Sequence, residues 1–254
     1  MNAKNLAIIA SMALAITACK KDDEPPTPSP TPNPTPTTAT MKLSYSFVNG
    51  AVPFDPTVSF TDGQGRRVRI TKLKFYAHDV HLADDDGATV GAFHDKIVLA
   101  NALNSTNVFD LGTMDPGHIH HVEFAYGLDS ESSYGFPDQV TAPVPLNDAD
   151  MTWMWNTAAG RVFIKLEGFV DANDNGTQEM GEGFQYHAIG AAMAPVPVDL
   201  HLHADAEAGS TVTLALKVNV NALVSDLSLT GMFHNDGEQT QLLLQKLAAA
   251  TSAN

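Results

Sequence analysis

Ten histidines and a single cysteine carry most of the chemical potential of this 254-residue chain. The imidazoles stand at His78, His81, His94, His118, His120, His121, His187, His201, His203 and His234, and the thiol at Cys19. One cysteine builds no sulfur-rich zinc or iron–sulfur site and no internal disulfide. Imidazole is therefore the ligand left for a borderline or soft metal such as copper.

Position along the strands separates the histidines. His201 and His203 share a face with Asp199, opposite the apolar Leu200 and Leu202, and are expected to face solvent. His118 and His120 run in phase with Val122 and Phe124, so they are expected near the rim of the core. His187, in FQYHAIG, follows Tyr186 and precedes a glycine break, where a buried imidazole can meet another strand; a lone histidine there is also an ordinary hydrogen-bonded residue.

Both tryptophans fall in MTWMWN, residues 151–156. On an extended strand Met151, Trp153 and Trp155 would leave the backbone on one side as an apolar stripe, which by itself reads as core. A second pattern is DANDNGTQEMGE, which puts Asp171, Asn173, Asn175, Gly176, Thr177, Glu179 and Glu182 at positions 1, 3, 5, 6, 7, 9 and 12 of an EF-hand-like loop. Alternate oxygen donors of Asp171, Asn173, Asn175, Thr177, Glu179 and Glu182 could wrap a structural calcium. Against calcium, Gln178 takes an apolar position and strands flank the loop, which fits an acidic turn closed by Asx hydrogen bonds.

The elements that must position these groups are strands. Alternation is clearest in TVTLALKVNV (Thr211 to Val220) and recurs in KLSYSF, HHVEFAYGL, RVFIKLEG and VPVDLHL. In KLKFYAHDVHL the apolar phase moves from Leu73 and Phe75 to Val80 and Leu82, predicting a bulge around Ala77 to Asp79. The exception is NDGEQTQLLLQKLAAA, where Asp236 as N-cap and Leu243, Leu244 and Leu247 on one face predict a short closing helix. The expected class is all-β: an antiparallel β-sandwich or flattened barrel with a short C-terminal helix.

Ahead of this domain, residues 1–18 hold Lys4 and the stretch LAIIASMALAITA, too short to span a bilayer as a mature helix but suited to a secretory signal. ITAC resembles a bacterial lipobox, which makes Cys19 a lipidation site and the first mature residue. KKDDE resembles the export signal of surface lipoproteins, and the proline-rich run from Pro25 to Thr40 is an extended spacer. Residues 19–40 thus form a tether, and 41–254 the domain. The predicted location is the outer membrane, facing the cell surface or otherwise the periplasm, held through the lipid anchor. A net charge of −15, from 29 acidic and 14 basic residues, argues against nucleic acid as a partner. With no G-x-S-x-G elbow, H-E-x-x-H helix or phosphate loop, no enzyme is expected.

KFYAHDVHLADDDG, DPGHIHHVEFAYGLDS, MTWMWNTAAGRVFIKLEGF and FQYHAIG, in this order, resemble the MbnP family of methanobactin-associated copper-binding proteins. The resemblance implies an exported β-rich protein that binds copper through histidines and through a tryptophan oxidised to kynurenine. It implies His187 as first ligand, a second among His118, His120 and His234, and Trp153 or Trp155 as the oxidised residue. The oxidant would come from a di-haem enzyme resembling the MauG type, since the chain has no C-x-x-C-H motif of its own. AHD at Ala77 to Asp79 and AAGR after the tryptophans depart from the family pattern and indicate a divergent member. The alternative from another class is a calcium-stabilised surface adhesion module without copper.

Overall fold

A computed structural model describes residues 35–254; the predicted signal, Cys19 and the proline stalk up to Pro34 lie outside the described residues. The chain runs through β1 (Ala39–Asn49), β2 (Val52–Pro53), β3 (Phe60–Thr61), β4 (Arg67–Ala83), β5 (Thr89–Asn101), β6 (Val108–Met114) and β7 (Gly117–Tyr126). Then follow α1 (Ser130–Tyr134), β8 (Ile164–Val170), β9 (Gly183–Ala188), β10 (Val196–Ala206), β11 (Thr211–Asn219), α2 (Val220–Val224), β12 (Gly231–Asn235), α3 (Glu238–Ala249) and β13 (Thr251–Ala253). Ala39 begins β1 and is buried.

The strands form two sheets. One has the order β13-β11-β1-β2, with β6 also on β1; the other has the order β10-β7-β4-β8-β9-β12, with β3 and β5 also on β4. Their inner faces meet through the side chains that the alternation placed inward: Leu43 and Tyr45 from β1, Leu214 and Leu216 from β11, Val122, Phe124 and Tyr126 from β7. Tyr45 meets Phe75 edge-on at 5.3 Å, and Phe75 meets Tyr126 at 5.2 Å, which ties the two layers by aromatic contacts. The sandwich is as expected, and each sheet also carries one parallel pair, β1 with β11 and β9 with β12.

The predicted bulge in β4 is present. Register shifts between His78 and Val80, and Asp79 takes φ 57°, the left-handed region. This bend returns Val80 and Leu82 to the core and turns the Asp79 carboxylate toward His81 and His94. Up to Phe75 β4 pairs with β8 and from Ala77 onward, on both sides of the bend, with β7, and Tyr76 stands at the fork.

β8 is buried along nearly its whole length, and Gly168 is its tightest point. A Cβ there would lie 2.2 Å from the Arg69 carbonyl oxygen and 2.7 Å from the Phe184 ring. Gly168→Ala is expected to cost about 3 kcal/mol through overpacking of the β4–β8 pair, and a Tm in calorimetry equal to that of the parent would contradict it.

Helix α3 buries Leu243, Leu244 and Leu247 as its apolar spacing required. Its N-cap is Gly237, not Asp236. The Asp236 carboxylate instead accepts the Ala192 N–H at 2.9 Å, and Thr240 Oγ donates to the Gly237 carbonyl at 2.9 Å. A long-range backbone donor outcompeted the local cap.

Candidate metal centre

The β9–β12 pair is parallel and in register, and it sets His187 directly opposite His234. Their rings stack with centroids 4.1 Å apart and planes within 1°. Each imidazole is held by its Nε2. His187 Nε2 donates to Glu167 Oε1 at 2.8 Å, and His234 Nε2 donates to Gln185 Oε1 at 3.2 Å. Glu167 and Gln185 are themselves paired across β8 and β9. A carboxylate or amide oxygen on one ring nitrogen fixes the tautomer and leaves Nδ1 as the lone-pair nitrogen. His187 Nδ1 is inaccessible to solvent and makes no hydrogen bond, an orphaned acceptor of the kind a metal satisfies.

The bond from His187 holds the Glu167 carboxyl below its usual range, against burial. Burial, with His187 beside it, lowers the His234 imidazole and keeps its lone pair available at neutral pH.

The third member arrives from the connection between α1 and β8. Asp148 caps a 3-10 turn over Ala149–Met151, accepting from the amides of Asp150 and Met151. Thr152 then bridges to Arg161, so the segment between them projects as a loop. Trp153 follows at once, its ring 5.9 Å from His187 and 5.5 Å from His234, edge-on to both. Lysines from the sheet hold the base of this loop: Lys74 on Asp148 at 3.0 Å, and Lys72 and Lys165 on Asp150 at 2.9 and 2.8 Å. Buried Arg161 adds donations to the carbonyls of Leu146 and Phe136 at 2.7 and 3.0 Å.

The MbnP family model matches residues 36–240, most of the described domain. The chain belongs to the MbnP family. The solved structure of MbnP from Methylosinus trichosporium superposes with a TM-score of 0.54 over 80% of this chain and 82% of that one, at 13% identity, which is a likeness of fold. Among curated proteins none matches.

In this MbnP-family chain the predicted residues divide. His187, His234 and Trp153 come together; Trp155 does not, being 89% exposed. The expected stripe of Met151, Trp153 and Trp155 is absent because the segment is a capped turn and loop, not a strand. Met151 enters the core, Trp153 covers the imidazoles and Trp155 points to water.

His118 and His120 also lie elsewhere, and not at the core rim. β7 buries Ile119 and Val122, which leaves two adjacent residues, His120 and His121, turned outward between them. There they meet His201 and His203 of β10, which are exposed as expected. The hydrogen bond it donates to Asp205 raises the His118 imidazole, whereas desolvation lowers that of His120. A groove of about 450 Å³ crosses β4, β7 and β10 and is lined by Asp79, His81, Glu123 and Asp199. Nothing in the alternation marked this second gathering except the odd spacing from Ile119 to Val122.

The EF-hand-like stretch forms the β8–β9 connection and takes the form of an acidic turn. Asp171 is buried and accepts the amides of Asn175 and Gly176 at 2.9 and 3.0 Å. Asn175 accepts the Thr177 amide, Glu182 those of Ala172 and Glu179, and Glu179 the side-chain amides of Asn173 and Asn175. The oxygens that would wrap calcium are thus satisfied from within the loop. The acidic groups of this turn do not converge as a three-donor set, so the geometry lends calcium no support.

Proposed function

We propose that this chain is an exported, lipid-anchored copper-binding protein that captures or hands on copper and turns over no substrate of its own. One observation carries the reading: two stacked imidazoles with their Nε2 atoms tied back, beneath a tryptophan ring held in contact with both. Two imidazoles leave a copper ion short of donors, and the ring that lies against both is an indole, whose nitrogen has a proton and no basic lone pair.

Oxidation supplies the missing donor. Cleavage of the indole C2–C3 bond places two oxygen atoms on the separated carbons. Hydrolysis then releases C2 as formate and leaves an aryl amine, the kynurenine side chain. Both oxygens and the oxidising equivalents must come from outside, and a di-haem enzyme of the MauG type using peroxide fits that need. Its contact with both imidazoles supports Trp153 as the residue that undergoes this change. The aryl amine would join His187 and His234 as copper ligands. The membrane anchor at Cys19, facing outward, puts the site where external copper arrives, and a net charge of −15 favours its approach.

Mass spectrometry of protein isolated from cells that hold the oxidising partner is the test. Fragment ions are expected to place the change at Trp153 and leave Trp155 intact. An unmodified Trp153, together with no copper retained after dialysis, would overturn the reading. Glu167→Gln is expected to weaken copper binding roughly 10- to 100-fold, because it supports the ligand without touching the ion. Competition with a copper chelator measures this, and an unchanged affinity would remove Glu167 from the site.

A further inference from the structure

We propose that the outer face of β7 and β10 is a second metal site, for a divalent ion of the zinc or copper(II) class, separate from the Trp153 centre and independent of it. His121 of β7 stands opposite His201 of β10, with ring centroids 4.0 Å apart. Beyond this pair the register shifts, so that Leu202 and His203 together face His120. The shift brings His120 within 5.1 Å of His201 and 4.5 Å of His203, ring to ring. His120, His121 and His201 each offer a nitrogen within 4.8 Å of the others, and Asp85 from the β4–β5 turn makes a second such trio with His120 and His203.

Proximity alone would fit a solvated histidine patch. Two further features point to a ligand. His121 donates Nδ1–H to Asp199 Oδ1 at 2.9 Å, the outer carboxylate support common to metal-bound imidazole, which leaves Nε2 as the free donor. His120 Nδ1 is inaccessible to solvent and has no hydrogen-bond partner, and it lies 3.4 Å from Asp85 Oδ1. Three or four imidazoles with one carboxylate suit zinc or copper(II), and small rotations would close the nitrogens to coordination distance. Calcium and magnesium, which require oxygen, are excluded by the donor set.

Zinc is the probe, because it needs no redox control. Equilibrium dialysis of the full chain against Zn²⁺ is expected to give one fewer bound ion for His120→Ala with His201→Ala. His187→Ala with His234→Ala is expected to retain that ion. His121→Gln with His201→Gln, closer in shape, should repeat the loss in a protein whose circular dichroism matches the parent. Asp199→Asn should weaken this zinc roughly 10- to 100-fold at unchanged Tm, which a purely structural aspartate would not do. The proposal fails if the β7–β10 variants bind zinc with the parent's stoichiometry and affinity, or if all zinc is lost with His187 and His234. Failure of the Trp153 reading would appear separately, as unmodified tryptophan with β7–β10 zinc intact.

Discussion

His187→Ala is expected to lower copper affinity at least about a hundredfold, beyond the 10- to 100-fold typical of a supporting group. The side chain makes the charge-assisted bond to Glu167, stacks on His234 and holds the solvent-inaccessible Nδ1. His234→Ala should cause a loss of similar size. The double variant should lose much less than the sum, because both rings serve one ion and the second deletion removes little that the first has left. Trp155→Phe should leave copper binding unchanged, whereas Trp153→Phe should weaken it strongly, since phenylalanine cannot yield an aryl amine. Competition titration against a copper(I) chelator, with Tm recorded for each variant, separates binding from folding. A His187→Ala protein with the parent's affinity would end the assignment.

Part of this centre could be read along the chain, and part could not. His187 was marked by the resemblance of FQYHAIG to the family; its place beside a glycine break alone fits an ordinary hydrogen-bonded residue as well. Its partner was not fixed, because β10, β11 and α2 intervene before β12 returns to lie parallel to β9, and parallel pairing across such a detour leaves no local pattern. The choice between the tryptophans turned on Asp148. An aspartate three residues after a proline, as Asp148 is after Pro145, can cap a turn, and once it does, the period-two rule that grouped Trp153 with Trp155 no longer holds.

Phase shifts were the more informative signal. The step from Phe75 to Val80 announced the bulge that the left-handed Asp79 supplies. The comparable step from Ile119 to Val122 carried the same information about β7, and it places His120 and His121 outward rather than at the core rim. Spacing in the Asp171–Glu182 loop was legible as well, but spacing fixes donor order and not donor use. Backbone amides are present at every such turn, and here they take the oxygens.

Asp150→Ala should be the most damaging change outside the core, costing about 3 kcal/mol, because it strands a lysine ammonium that is nearly out of water. Lys165 is 10% exposed and gives its charge to Asp150, while Lys72 donates to the same carboxylate at 2.9 Å. For a domain of this size the loss corresponds to a fall in Tm of roughly 6–12 °C. The loop carrying Trp153 should loosen with it, seen as a red shift of tryptophan fluorescence. The same contacts predict acid sensitivity. Burial alone would raise the Asp150 carboxyl, but hydrogen bonds from Lys165 and Lys72 outweigh burial and hold it well below the usual carboxylate range. A depressed carboxyl contributes its full stability above about pH 4, the unfolded value, and loses it as pH falls further. Asp150→Asn should therefore flatten the acid limb of a stability profile. Adding Lys165→Met to Asp150→Ala should recover part of the lost stability, since an apolar side chain of similar length needs no counter-charge. Melting curves for Asp150→Ala that match the parent from neutral pH down through pH 3 would show that the lysines do not hold the loop.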